Sequence, residues 1–245
     1  MIPEAALQGH WRRNWLRAPG VQDSTTQVHW VQSGKWCADI RVPLLRPGLA
    51  AASLSAMDPA DLAVLLSAEG FAGHTTLTGD MCTWTRSWNW RGFPCPVDAG
   101  RLWFDPAGHL IEDGVHSDYR EEWQAVPGGA WTAMSAASAD AKGLLIANDT
   151  HFLLGLGQSN AHARPDLAAA LKDGTATAGD ARASFASIYV MGNWQGEDGV
   201  AELSTQPFCE GKPVLQRDQA SARLTLPDFD GRAQEHLLRL SPLPA

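Results

Sequence analysis

The clearest pattern along this chain is alternation. From Trp11 to Arg17, the residues Trp11, Arg13, Trp15 and Arg17 fall on one side of a two-residue period. From Cys82 to Trp90 that side carries Cys82, Trp84, Arg86, Trp88 and Trp90, and from Ser117 to Ala125 it carries Tyr119, Glu121 and Trp123. A period of two belongs to extended strands, whose successive side chains point to opposite faces. Turn residues punctuate the runs: Ser33-Gly34, Asp105-Pro106-Ala107-Gly108, Pro127-Gly128-Gly129, Gly196-Glu197-Asp198-Gly199 and Asp230-Gly231. Glycine supplies positive φ, and Asp and Pro preorganise the turn, so these five signals predict an antiparallel meander of hairpins.

Helices are few in this reading. Asp58-Pro59-Ala60-Asp61 has the form of a helix start, Leu62, Leu65 and Leu66 give it an apolar face, and Gly70 is the expected stop. A second short helix is predicted from Pro165 to Lys172, ending at Gly174. Neither fits a βαβ rhythm, which excludes a doubly wound fold. The Ala/Ser-rich residues 136–141 and the Ala/Gly/Thr-rich residues 174–183 are candidate boundaries, but no clear linker separates them. The expectation is one domain over residues 1–245, all-β, with the meander closed into a barrel, since an open twisted sheet does not comfortably hold a dozen strands.

Composition narrows the function classes. The net charge of −8, with scattered arginines, disfavours nucleic acid and anionic membrane surfaces as partners. The N-terminus lacks the charged and apolar regions of a signal peptide, and no apolar run spans a bilayer, so a cytoplasmic protein is expected. Cys37, Cys82, Cys95 and Cys209 form no C-x-x-C pair and are read as reduced thiols. Eleven tryptophans against two tyrosines suit either a wide core or the wall of a pocket.

The repeated theme is a charged residue flanked two positions away by aromatics. If those faces point inward, Arg13, Arg86 and Glu121 are inside too, where an unpaired charge costs several kcal/mol. They must then pair with each other, meet water or meet a ligand. Both a barrel-end plug of Arg on Trp and a ligand site satisfy that demand. The candidate binding residues are Arg13, Trp84, Arg86, Trp88, Tyr119, Glu121 and Trp123.

The motif Gly9-His10-Trp11 in the first strand, followed by a meander, resembles the calycin superfamily of lipocalin-like barrels. Gly192-Asn193-Trp194-Gln195-Gly196 is similar to the G-x-W-x-G of small intracellular barrels in that group, and its distance from the first motif raises a duplicated barrel as an alternative. The resemblance implies that Trp11 packs at a closed barrel end. The run Gly9-His10-Trp11-Arg12-Arg13-Asn14-Trp15 also resembles a bacterial family that offers no function to transfer.

Familiar catalytic motifs are missing. There is no G-x-S-x-G elbow and no H-E-x-x-H, and no metal or cofactor is expected. His109 and His116, with Glu112, Asp113 and Asp118, read as a solvated hairpin, and Asp149 with His151 lacks a nearby nucleophile. Gly155-Leu156-Gly157-Gln158-Ser159-Asn160 lacks the third glycine of a dinucleotide loop. A haem barrel would need an inward histidine that the pattern does not place. Two readings remain. One is a carrier or sensor of a small, partly apolar, anionic molecule in a Trp-lined interior, with Arg86 as the carboxylate anchor. The other is a cofactor-free barrel enzyme of decarboxylase, isomerase or cyclase type, as some calycin-like barrels are, using Glu121, Tyr119 and Arg86.

Overall fold

The computed structural model describes residues 2–48, 50–158, 161–218 and 220–244. Nine strands form the first sheet: β1 (Gly9–Ala18), β2 (Val21–Asp23), β3 (Gln27–Ser33), β4 (Trp36–Val42), β5 (Glu69–Thr78), β6 (Met81–Asn89), β7 (Asp98–Phe104), β8 (Leu110–Gly114) and β9 (Arg120–Val126). β1 pairs with β9 and closes the sheet, while β2 hangs on the end of β1. Eight more strands close a second barrel: β10 (Thr132–Ala137), β11 (Lys142–Ala147), β12 (His151–Gly157), β13 (Ile188–Gln195), β14 (Asp198–Ser204), β15 (Pro213–Arg217), β16 (Ser221–Pro227) and β17 (Ala233–Pro242). The fold is all-β and antiparallel as expected, and the closure occurs twice.

Four of the five turn signals make hairpins: 33–34 joins β3 to β4, 105–108 joins β7 to β8, 196–199 lies at the β13–β14 turn and 230–231 joins β16 to β17. Pro127-Gly128-Gly129 does something else. It carries the chain from the first barrel to the second, and β9 and β10 do not pair. A turn signal marks a change of direction and cannot by itself say which strand the chain meets next.

Helix α1 (Pro59–Leu65) starts as the sequence predicts but ends before Gly70, which lies in β5. Its buried Leu62 and Leu65 pack in the core shared by both barrels. Helix α2 (Leu167–Lys172) occupies the predicted second site, and α3 (Ala178–Ala181) sits in the stretch read as a boundary, started by a Thr177/Asp180 capping box. Among the described residues, no helix is long and apolar enough to cross a membrane.

The barrels dock through residues on their outer surfaces. Val31, Ala38 and Ile40 of the first meet Leu144, Ile146, Leu153, Tyr189 and Met191 of the second in one buried cluster. At Gly70 a Cβ would stand 2.4 Å from Tyr189 Cγ, and at Gly155 it would stand 2.7 Å from Tyr189 Cε1, so two glycines accept this one ring. The interiors differ in kind. The second barrel is filled by Leu145, Phe152, Leu154, Val190, Leu215, Leu224 and their neighbours. The first mixes tryptophans with charges.

Trp11 packs inside the first barrel, and its indole donates to Leu7 O at 2.9 Å in the N-terminal 3-10 turn. The N-terminal 3-10 turn therefore packs against Trp11 through this bond and through Leu7. Trp194 occupies no equivalent place. It lies on the fourth strand of its barrel, tilted against Phe152 at 4.9 Å between ring centroids, with Arg217 over its ring at 4.5 Å. All four cysteines are free. Cys37 and Cys82 share the first barrel's interior, where burial raises both thiols. Gly155 and Gly157 lie in β12, while Ser159 and Asn160 are outside the described residues.

Candidate functional site

Two β-bulges decide which predicted residues face inward. On β1, Arg13 opposes Trp123 but Trp15 opposes Glu122, so Asn14 is the extra residue. The bulge moves Trp15 and Arg17 off the face that Arg13 occupies. On β6, Gly73 opposes Arg86 and Ala72 opposes Trp88, leaving Ser87 as the extra residue. A Cβ at Gly73 would stand 1.9 Å from Thr85 O, so the bulge closes over a glycine. Trp88 is thereby turned outward to join the inter-barrel core, and so is Trp90. Trp88 is therefore not among the interior residues, contrary to a regular alternation.

Six of the seven predicted site residues do gather in the first barrel. Trp30 stands at the centre of the aromatics, 5.6 Å from Trp84 and 6.0 Å from Trp123, both edge-on, and 6.3 Å from Trp11, stacked. Arg13 donates to Glu121 Oε1 at 2.6 Å and to Asp23 Oδ2 at 2.5 Å. Arg86 donates to Asp98 Oδ2 at 2.5 Å and lies over the Phe71 ring at 4.2 Å. Tyr119 donates its hydroxyl to Glu112 Oε1 at 2.7 Å, and Trp123 donates its indole N–H to Glu112 Oε2 at 3.2 Å. Arg86 and Glu121 thus share an interior but have separate partners.

Alternation between charge and aromatic did not single out Trp30, Asp39, Arg41, Asp98 or the inward position of Glu112. Asp39 and Arg41 pair at 2.9 Å, and Arg41 reaches Glu121 Oε1 at 3.7 Å. Their strand reads as polar-out because Ala38, Ile40 and Val42 alternate with them. Those apolar residues face the second barrel, and the charges face inward.

The cluster holds five carboxyl groups (Asp23, Asp39, Asp98, Glu112, Glu121) against three guanidiniums (Arg13, Arg41, Arg86). An excess of buried negative charge is relieved by binding protons. Burial, then the facing Glu121, pushes Glu112 up to about 8, and burial also raises Asp39. Tyr119 is raised as well, by burial and the adjacent Glu112. Asp23, nearer the barrel end, goes the other way: burial opposes ionisation, but the Thr26 and Thr25 N–H groups and Arg13 hold it at about 2. Glu121 Oε2 and Arg86 Nε are buried without a hydrogen-bond partner. The free space among Trp30, Asp39, Arg41, Phe71, Trp84, Asp98, Glu112 and Trp123 is about 10 Å³, the size of a water rather than of an organic ligand.

Room for a ligand lies at the barrel mouth. A groove of about 510 Å³ runs over Arg17, Ala18, Pro19, Asp113, Gly114, Asp118, Tyr119 and Arg120. Arg120 is taken by Asp113 through two hydrogen bonds of 2.6 and 2.7 Å. Arg17 lies over the Trp15 ring at 4.3 Å and makes no ion pair among the described residues. Tyr119 joins the two regions: its side chain lines the groove, and its hydroxyl bonds the buried Glu112.

His116 and Asp118 are exposed on the hairpin beside the groove, whereas His109 sits at the opposite end of β8. His151 bonds Thr150 Oγ1 at 2.8 Å rather than Asp149. No known protein family, curated protein or solved structure matches this chain.

Proposed function

We propose that the N-terminal barrel binds a small, partly apolar, anionic molecule at its Tyr119 mouth. The observation that carries the reading is a groove of ligand size holding one guanidinium with no ion pair among the described residues, Arg17, beside the Tyr119 ring. A guanidinium presents a planar fork to a carboxylate, and the neighbouring Ala18, Pro19 and Tyr119 offer apolar contact. Arg86, the anchor expected from the alternation, is already neutralised by Asp98, and the interior space near it holds no more than a water. The carboxylate therefore meets Arg17 and stays outside the Trp cluster. A calycin-like identity accords with the closed meander and with Trp11 packed against the N-terminal 3-10 turn.

The test is calorimetric titration of the protein with benzoate, phenylacetate and indole-3-acetate. One-to-one binding of at least one of them, lost in Arg17→Gln and kept in Arg86→Lys, is the expected result. Binding that survives Arg17→Gln unchanged, or no binding by any of the three, contradicts the reading.

A second reading, acid–base catalysis, is favoured by the high proton affinity of Glu112 directly behind Tyr119. A carboxyl group that exchanges its proton near neutral pH is suited to general acid or base work. In this version Glu112 takes the role that alternation assigned to Glu121, whose Oε1 is held by Arg13. Turnover of a groove-bound acid with a rate break near the Glu112 pKa, absent in Glu112→Gln, distinguishes an enzyme from a carrier.

A further inference from the structure

At the end of the first barrel away from the groove, the β7–β8 turn and β9 bring together an imidazole and two carboxylates. His109 Nδ1 lies 3.6 Å from Asp105 Oδ2 and 3.9 Å from Glu122 Oε2. The donor atoms of Asp105, His109 and Glu122 all fall within 4.8 Å of one another. These side-chain separations exceed a hydrogen bond, so the imidazole stands between the two carboxylates without its Nδ1 bonding either. We propose that Asp105, His109 and Glu122 bind a divalent transition-metal ion of the Zn2+ or Co2+ type.

Each carboxylate is held in place by one oxygen and leaves the other free. Asp105 Oδ1 accepts the backbone N–H of Ala107 and of His109, both at 2.9 Å, which leaves Oδ2 turned to the imidazole. Glu122 Oε1 accepts Asn14 Nδ2 at 3.1 Å, which leaves Oε2 turned to the same place. Outer partners of this kind orient metal ligands and fix which atom binds. Asn14 is the extra residue of the β1 bulge, so the bulge that moves Trp15 also delivers this partner.

The spacing suits the ion. Donors bound at about 2.1 Å in tetrahedral geometry stand about 3.4 Å from one another. The two separations from His109 are a few tenths of an ångström wider and all three donors lie within 4.8 Å, so three partly exposed side chains must close in by rotation to meet one ion. Two carboxylates and a neutral imidazole give a net charge of −2, which a divalent ion cancels. The imidazole nitrogen selects Zn2+ or Co2+ over Mg2+ and Ca2+, which prefer all-oxygen sites. Three protein donors leave room for at least one water. The sequence held these residues at positions 105, 109 and 122, with no motif spacing, because the third ligand arrives by strand pairing.

The experiment uses chelator-treated full-length protein titrated with Co2+, read by visible absorption, and then with Zn2+ in competition. One equivalent of Co2+ is expected to bind with oxygen/nitrogen-type bands, and Zn2+ is expected to displace it. His109→Ala and Glu122→Gln are each expected to weaken binding by about tenfold or more, and Asn14→Leu by less. Asp61→Asn, on α1, should change nothing. As a second readout, Zn2+ should raise the melting temperature of the wild-type protein and leave that of Glu122→Gln unmoved. Failure of Co2+ to bind, thiolate charge-transfer bands that vanish in Cys95→Ser, or binding unaltered in both His109→Ala and Glu122→Gln would overturn the site.

Discussion

Glu112 and Glu121 stand directly opposite one another on β8 and β9, both inside the barrel and almost wholly buried. Two like charges in directly paired positions destabilise a sheet, and burial multiplies the penalty. The pair resolves this by dividing roles. Glu121 takes the guanidinium of Arg13, while Glu112 keeps its proton and receives hydrogen bonds from Tyr119 and Trp123. Burial raises the proton affinity of Glu112 and Asp39, so the barrel interior links proton binding to folding.

Glu112→Gln tests that division. The Glu112 pKa is about 8 in the fold, against about 4.5 for an exposed glutamate. A carboxyl group whose pKa is raised on folding gives stability that is full below pH 4.5 and fades as pH rises through 8. The loss over that window is on the order of a few kcal/mol. Urea denaturation at several pH values should therefore show Glu112→Gln gaining on the wild-type protein between pH 5 and 8 (about these limits). Parallel curves over that range would mean that Glu112 is ionised throughout.

His10 and His29 predict the acid limb. His10 Nε2 and His29 Nδ1 lie 2.8 Å apart, so at most one proton can sit between them. Burial, then the neighbouring histidines, lowers His10 to about 3, and burial with Arg12 lowers His29 to about 4. Neutral in the fold and protonated when unfolded, the pair contributes stability that is full above pH 6.5 and is lost as pH falls toward 3. His29→Gln should flatten the fall in melting temperature between pH 6.5 and 4 (roughly the window of its shift). An acid limb of unchanged slope would contradict the assignment.

Arg86→Leu should destabilise the protein by about 3 kcal/mol, because it strands Asp98 with no opposite charge. Arg86→Leu combined with Asp98→Leu should be milder than the sum of the single changes. Additive losses in chemical denaturation would show that the pair is not coupled.

Docking of the barrels rests on small residues at Tyr189. Gly70→Val places side-chain atoms where the Tyr189 ring now lies and should cost about 3 kcal/mol. Pairing it with Tyr189→Ala should recover part of that loss. If Gly70→Val melts like the wild-type protein, the ring does not sit against β5.

The hairpins, the β-rich class and the first helix start were legible because turn chemistry and period act locally. Arg13, Trp84, Arg86, Tyr119, Glu121 and Trp123 gather in the first barrel, as the two-residue period groups them, for the same reason. Trp88 was not, since a bulge at Ser87 changes the parity of the strand after it, and the signal for that bulge is a glycine on the neighbouring strand, Gly73. Asp39 and Arg41 were hidden by a different effect. The outer surface of their barrel is covered by another barrel, so Ala38, Ile40 and Val42 are apolar on what a single barrel would expose to water. The groove was out of reach because Arg17 and Tyr119 meet there only when β9 returns to pair with β1.

A small anion seated at the mouth against Arg17 and Tyr119 would perturb nearby indoles, which NMR reads residue by residue. The eleven tryptophans give a dispersed set of reporters. Trp15 lies under Arg17 at 4.3 Å and Trp103 under Arg120 at 5.2 Å, and both arginines line the groove, whereas Trp194 lies in the other barrel. With 15N-tryptophan-labelled protein titrated with indole-3-acetate, saturable shifts of the Trp15 and Trp103 Nε1–H signals are expected, abolished by Arg17→Gln, with Trp194 unmoved. Shifts confined to Trp30, Trp84 and Trp123, or no saturable shift at all, would contradict it.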